Sequence, residues 1–226
     1  YIYMERKEVE IRLTNKDIKM SLLKKKLREM GAKIKQKERI FYYINYYHPL
    51  KKDDFYIRVR DEGEIITMTV KTNLKNKYVD EYEININNFD EADKILRLLG
   101  CKKHYEIHKL REKWGYGKCK EIVFDTYPAA EPYVEIECNN EKEIKDVLKK
   151  LGLNTNLNNY LGNSHVKNFY LNEYGISVPK KLQDLTFTTA STVLGSRVKK
   201  NKKLFNERLN KQRKKHMKQI NELKKR

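Results

Sequence analysis

Eight stretches of this chain alternate bulky apolar side chains with charged ones at a period of two, and they do so with charges of both signs on the polar parity. Val9, Ile11 and Leu13 oppose Glu8, Glu10 and Arg12; Ile57 and Val59 oppose Arg58 and Arg60; Ile66, Met68 and Val70 oppose Thr67, Thr69 and Lys71. Glu81 and Glu83 oppose Tyr82, Ile84 and Ile86, Asp125 opposes Ile122 and Phe124, and Glu135 and Glu137 oppose Val134 and Ile136, while Lys109, Arg111 and Lys113 share one parity. Period-two patterning is the signature of strands with one buried face. It predicts strands over 7–13, 38–46, 55–60, 65–72, 79–87, 104–114, 121–127 and 133–138.

Three amphipathic helices interrupt the strands. The first leads from Asn15 to Met30 and stops at Gly31, the second runs from Asp90 to Leu99 before Gly100, and the third opens at Asn140 and ends at Gly152, each with a polar start and a glycine stop. Strand, helix and three strands therefore occur twice, the second round starting at Val79, which makes an α+β fold of two βαβββ halves. A single sheet with one solvated charged face would satisfy the alternation. The charged parity, however, is dominated by E-x-E, R-x-R, T-x-K and K-x-R patterns, and eight strands suffice to curl a sheet into a barrel with the helices outside. The charged face then becomes the lumen of an eight-stranded antiparallel β-barrel. Charges gathered there must neutralise one another or a ligand, because unpaired buried charges are very costly. Clustered glutamates suit hard divalent cations and convergent Arg and Lys suit phosphate oxygens, so a metal with a polyphosphate uses both signs.

In their order, these motifs resemble the CYTH superfamily, the triphosphate tunnel metalloenzymes, which includes class IV adenylyl cyclases, thiamine triphosphatases and inorganic triphosphatases. Glu8-Val-Glu10-Ile-Arg12 is similar to the family's E-x-E-x-K signature, and Arg58-Val-Arg60, Thr69-Val-Lys71, Glu81-Tyr-Glu83, Lys109-Leu-Arg111, Val123-Phe-Asp125 and Glu135-Ile-Glu137 follow between residue 7 and about residue 153. The resemblance implies a triphosphate tunnel with Glu8, Glu10, Glu135 and Glu137 near one or two Mg²⁺ or Mn²⁺ ions, joined by Asp125, and with Arg58, Arg60, Lys71, Lys109 and Arg111 holding a triphosphate. Glu8, Glu10 and Arg12 are then the candidate catalytic residues, with Glu81 and Glu83 as supporting acids. The implied activity is metal-dependent phosphoryl transfer, foremost hydrolysis of a nucleotide or of another organic or inorganic triphosphate. Cyclisation of ATP, or a nonenzymatic RNA-associated protein that keeps the tunnel as a phosphate sensor, are the alternatives. The stretch around residues 164–175 also resembles bacterial cyclase-like members in which a helix follows the barrel.

The chain departs from the family pattern twice. Arg12 stands where the family has Lys, and a permanently charged guanidinium contacts phosphate but cannot serve as a base. Pro128-Ala-Ala-Glu-Pro132 replaces the usual glycine before the last strand. No G-x-x-x-x-G-K-[ST] or G-x-G-x-x-G occurs, which removes the common nucleotide-loop folds.

Charge is concentrated at one end. Residues 197–226 hold 14 Lys and Arg against two acids, a net of +12, which leaves +7 of the total +19 for the 196 residues before them. The Thr- and Ser-rich stretch 186–196 reads as a linker, so the predicted organisation is a tunnel domain over 1–185, a linker and a basic helical tail over 197–226. The tail is predicted to be an accessory arm for nonspecific contact with RNA or an acidic surface. Docking of Phe205, Leu209, Ile220 and Leu223 on the barrel is the alternative, weakened by Gln212 and His216, which break the stripe. Cys101, Cys119 and Cys138 are odd in number and form no C-x-x-C, so no disulfide or zinc site is predicted; with no apolar run long enough to span a bilayer, a reducing cytoplasm fits best. The His104 and His108 pair reads as ordinary polar positions rather than metal ligands, and Tyr42, Tyr43, Tyr46 and Tyr47 as sheet packing at least as readily as base-stacking residues.

Overall fold

The computed structural model describes residues 9–51, 55–72, 80–160, 165–177 and 184–224. All eight predicted strands form: β1 (Val9–Leu13), β2 (Lys33–Tyr47), β3 (Phe55–Asp61), β4 (Ile66–Thr72), β5 (Asp80–Ile86), β6 (Lys102–Tyr116), β7 (Cys119–Thr126) and β8 (Tyr133–Cys138). The predicted helices are α1 (Met20–Glu29) after β1, α2 (Phe89–Leu98) after β5 and α3 (Glu141–Leu151) after β8. Asn88 caps α2 by accepting from the Asp90 and Glu91 amides, and Asn140 caps α3 by accepting from Glu143. Gly152 closes α3 in the left-handed conformation at φ 72°, which a glycine adopts without a steric penalty.

One antiparallel sheet results, in the order β1-β8-β7-β6-β2-β3-β4-β5. This order is unchanged when the two halves are exchanged, with β2 and β6 pairing at the centre and β1 and β5 each paired to the last strand of the other half. The βαβββ repeat is therefore a pseudo-two-fold of the sheet. The sheet is not hydrogen-bonded shut: among the described residues no ladder joins β1 to β5, and the outward Tyr82 and Ile84 of β5 stay exposed. The eight strands thus form the predicted antiparallel sheet, with β1 and β5 at its ends among the described residues.

Apolar parity faces outward, as the alternation requires. α1 and α3 bring Leu23, Leu27, Leu148 and Leu151 against Ile11, Leu13, Ile122, Val134 and Ile136. α2 brings Phe89, Ala92 and Leu96 against Ile44, Ile57 and Val59. Full burial of such side chains stabilises by about 1.5–3 kcal/mol each. Tyr42 packs on Phe89 and the Tyr46 hydroxyl donates to Asp93 at 2.6 Å, so these two tyrosines are sheet-to-helix packing.

The linker and the free tail do not survive. After α4 (His165–Tyr174) come α5 (Ala190–Val193), α6 (Lys202–Lys215) and α7 (Met217–Leu223). Leu185 bridges β6 by bonding Glu106 and His108 through its main chain, Thr186 folds a turn that accepts the Thr188 and Thr189 amides, and Phe187 and Leu194 are buried. Phe205, Leu209 and Ile220 join them in a core with Ile40, Leu110, Tyr170 and Tyr174. The breaks in the stripe are what allow docking: Gln212 accepts the Ala129 amide at 2.8 Å, Gln219 accepts the Ile40 amide at 3.0 Å, and His216 lies 3.1 Å from Glu38. Polar residues at these positions satisfy buried main-chain groups that an unbroken apolar stripe would strand.

A second correction concerns the cysteines. Cys119 and Cys138 form a disulfide, because the β6–β7 turn sets the start of β7 beside the end of β8, with Cα atoms 4.0 Å apart. The 19-residue separation hid this, and the argument for a reducing compartment from unpaired thiols falls with it. Cys101 is free and buried. Among the described residues no helix is long and apolar enough to cross a membrane.

Candidate functional site

Directly opposed residues of neighbouring antiparallel strands share a face, so the ladder registers trace the concave surface. Glu10 faces Glu137, which faces Glu121; Arg12 faces Glu135, which faces Val123 and then Lys113; Asp125 lies between Tyr133 and Arg111. Arg111 faces Arg39, and Lys109 faces Phe41. In the other half Arg60 faces Tyr43 and Thr67, Arg58 faces Asn45 and Thr69, Thr69 faces Glu83, and Lys71 faces Glu81. Every predicted site residue within the described range thus lies on one face. Glu8 lies outside the described residues.

Asp125 anchors the centre. It is fully buried, accepts Lys109 Nζ at 2.7 Å and Arg111 through two nitrogens at 2.6 and 2.5 Å, and takes the Tyr133 hydroxyl at 3.3 Å. Burial alone would raise its pKa, but Arg111 and Lys109 hold it well below the usual carboxylate range. Lys109 is pushed down to about 8, first by burial and then by repulsion from Arg111. Asp125, expected among the metal ligands, has both its oxygens on Lys109 and Arg111 in this structure.

Arg12 donates to Glu135 at 2.8 Å and to Glu10 at 2.7 Å. Burial disfavours the Arg12 cation, yet Glu135 and Glu10 raise its pKa. Arg60 reaches Glu62 at 2.7 Å and Glu83 at 3.4 Å; Arg58 reaches Glu81 at 3.5 Å, and Lys71 reaches the same carboxylate at 2.5 Å. Burial, then Arg58, lower the Arg60 pKa. The Nε atoms of Arg39, Arg58 and Arg60 are buried with no hydrogen-bond partner among the described residues.

Glu10 and Glu137 offer hard oxygen donors across the β1–β8 ladder, and Glu10 keeps 42% of its side chain exposed. This donor chemistry fits a hard divalent cation. Among the described residues no three His, Cys, Asp or Glu side chains are already gathered into a metal-binding group, and Glu135 is engaged by Arg12 and Arg111. His104 packs between Tyr47 and Tyr105, and His108 is buried beside Tyr42, its pKa lowered to about 4 by burial, in keeping with ordinary packing roles.

Three participants were missed in the sequence. Arg39 shares the parity of Phe41, Tyr43 and Asn45 and pairs with Arg111, but its neighbours on that parity are aromatic or neutral, so no charged pattern marked it. Its guanidinium lies against Gly63, where any β-carbon would meet Arg39 Cζ at 1.6 Å. Glu62, beyond the end of β3, is 2% exposed and binds both Arg60 and Lys113, the latter at 2.6 Å. Tyr133 opens β8 ahead of the E-x-E motif and stacks with Tyr127. The D-E-G sequence after Arg60 was a turn signal that also carried this glutamate.

The family model for the CYTH domain matches residues 6–170. No curated protein matches the chain. Among solved structures, PH1012 of Pyrococcus horikoshii OT3 is 21% identical with a TM-score of 0.53, over 65% of this chain and 91% of its own. A conserved hypothetical protein of Pyrococcus furiosus has 21% identity and a TM-score of 0.52 over the same shares. A candidate adenylate cyclase of Vibrio parahaemolyticus has 13% identity and a TM-score of 0.57, over 70% of this chain and 96% of its own. These likenesses bear on the fold; the family match covers the strands that carry the site, and the chain belongs to the CYTH family.

Proposed function

We propose that the chain is a divalent-metal-dependent triphosphatase whose substrate lies along the concave face of the sheet. The observation that carries this reading is the pair of buried Nε atoms of Arg58 and Arg60, without a hydrogen-bond partner among the described residues, on the same face as Lys71, Lys109 and Arg111. Such donors suit the non-bridging oxygens of a polyphosphate, and their fixed position costs no reorganisation as charge shifts during phosphoryl transfer.

Glu10 and Glu137, with Glu8, are the proposed holders of Mg²⁺ or Mn²⁺, which when bound supplies charge neutralisation on the reacting phosphate and orients water. Arg12 holds the Glu10 and Glu135 carboxylates at 2.7 and 2.8 Å and presents a permanent positive charge beside them. Asp125 keeps Lys109 and Arg111 pointing into the lumen, and Glu81 and Glu83 steady Lys71, Arg58 and Arg60 until a phosphate replaces them. Hydrolysis asks for these features and a water molecule; cyclisation also requires a ribose hydroxyl aligned on the α-phosphorus.

One panel tests the reading. Inorganic triphosphate, ATP and thiamine triphosphate are offered with Mg²⁺ or Mn²⁺, and phosphate, pyrophosphate and cyclic nucleotide are measured. Metal-dependent phosphate release is the expected result. Pyrophosphate with cyclic AMP would make the chain a cyclase, and no turnover with retained triphosphate binding would make it a sensor.

A further inference from the structure

A lysine-lined pocket lies at the end of β2, β6 and β7. The pocket has a volume of about 330 Å³, and Lys33, Lys35, Lys113 and Lys120 line it together with Glu121. Lys33 and Lys35 are exposed. Lys33 lies opposite Gly115 in the β2–β6 ladder, on the parity of Lys113 and Arg111. The stem of Lys35 crosses Gly115, where any β-carbon would meet Lys35 Cε at 2.6 Å, so the glycine leaves room for the lysine to lie along the pocket wall. The register shift between Ile34 and Gln36 turns Lys35 to this side, as a β-bulge beside a functional cleft re-aims a side chain.

The pocket is wired to the proposed triphosphate site. Lys113, part of its lining, donates to Glu62 at 2.6 Å, and Glu62 binds Arg60 at 2.7 Å. Lys113 and Lys120 are offset by Glu121 and Glu137 at 3.1 and 2.9 Å, whereas the pocket lining holds no further acid to offset Lys33 and Lys35. The excess positive charge therefore lies on the β2 side, contiguous with the cations of the lumen.

We propose that this pocket is a second anion subsite, and that the preferred substrate is a linear inorganic polyphosphate longer than three units. Its terminal phosphates occupy the lumen and the following ones reach Lys33 and Lys35. The proposal rests on the triphosphatase reading and adds a chain-length preference to it. Point charges on flexible stems recognise phosphate without a base or a sugar, which suits a uniform polyanion.

The test measures binding by thermal shift, and turnover with Mg²⁺, for tripolyphosphate, a medium-chain linear polyphosphate and a 5′-triphosphorylated RNA. The proteins are the full chain, Lys33→Gln/Lys35→Gln and Lys33→Arg/Lys35→Arg. Two lost charge contacts are expected to remove an advantage of about tenfold for the medium chain over tripolyphosphate, with tripolyphosphate itself unchanged. The arginine pair should restore the advantage. A wild-type protein that binds tripolyphosphate and the medium chain alike overturns the subsite alone; one that binds neither overturns the triphosphatase reading beneath it. Equal loss for all ligands in the glutamine pair would reduce the lysines to a general field, and loss confined to RNA would assign the pocket to nucleic acid.

Discussion

Gln212 holds Ala129 in a left-handed backbone conformation in the turn between β7 and β8: its Oε1 accepts the Ala129 amide at 2.8 Å while Ala129 sits at φ 60°. The Tyr174 hydroxyl donates to the Ala129 carbonyl and the Tyr170 hydroxyl to the Pro128 carbonyl, both at 2.6 Å. A non-glycine residue in this region costs roughly 1–2 kcal/mol. This is the segment where the sequence departs from the family's glycine, and α6 lies beyond the family match. The added helix thus steadies the strained turn leading into Tyr133, Glu135 and Glu137.

Replacing Gln212 by Ala leaves the buried Ala129 amide without its acceptor, so a loss of about 1–3 kcal/mol is expected in urea denaturation. Ala129→Gly in that background should recover part of it by relieving the left-handed strain, offset by the greater freedom glycine gives the unfolded chain. Unchanged stability in Gln212→Ala would remove the clamp.

Deleting 197–226 is expected to lower stability strongly and to take turnover with it, since Phe205, Leu209 and Ile220 each contribute about 1.5–3 kcal/mol of burial. An accessory arm would instead leave turnover nearly unchanged. Measuring melting temperature and triphosphate hydrolysis on the same truncated protein distinguishes the two.

Glu10→Gln and Glu137→Gln should each abolish metal-dependent turnover while circular dichroism and melting temperature stay close to wild type. An amide preserves shape and loses the charge that holds a cation. Full activity in either variant would sink the proposed metal position.

Lys109 makes triphosphate affinity depend on pH. Its pKa of about 8 is depressed by burial and Arg111, against the opposing pull of Asp125 and Glu135. Because the unfolded lysine titrates near 10.4, the folded state holds fewer protons between about pH 8 and 10, and this group makes stability rise with pH there. Ligand binding has the opposite sign, since the triphosphate prefers the ammonium. Affinity should fall above about pH 8, by up to tenfold per pH unit, and Lys109→Arg should flatten the profile. Titration calorimetry across that range checks it, and an identical slope in Lys109→Arg would assign the effect elsewhere.

The strand and helix order, the internal repeat and the common face of Glu10, Arg12, Arg58, Arg60, Lys71, Lys109, Arg111, Asp125, Glu135 and Glu137 were legible in the amino-acid order, because parity along a strand is a local property that pairing preserves. Tertiary structure alone decided what depends on distance between remote segments. Arg39 meets Arg111 and Gly63 only when β2 pairs with β6 and β3, Glu62 becomes a bridge only when β3 and β6 approach, and Cys119 meets Cys138 only across a hairpin. The tail shows the same limit most clearly: Gln212 and His216 interrupt an apolar stripe when α6 and α7 are considered alone, yet they become hydrogen-bonding partners once Ala129 and Glu38 lie opposite. Whether a polar residue weakens a helix face or completes an interface is set by the groups it meets, and the chain's own order does not contain that meeting.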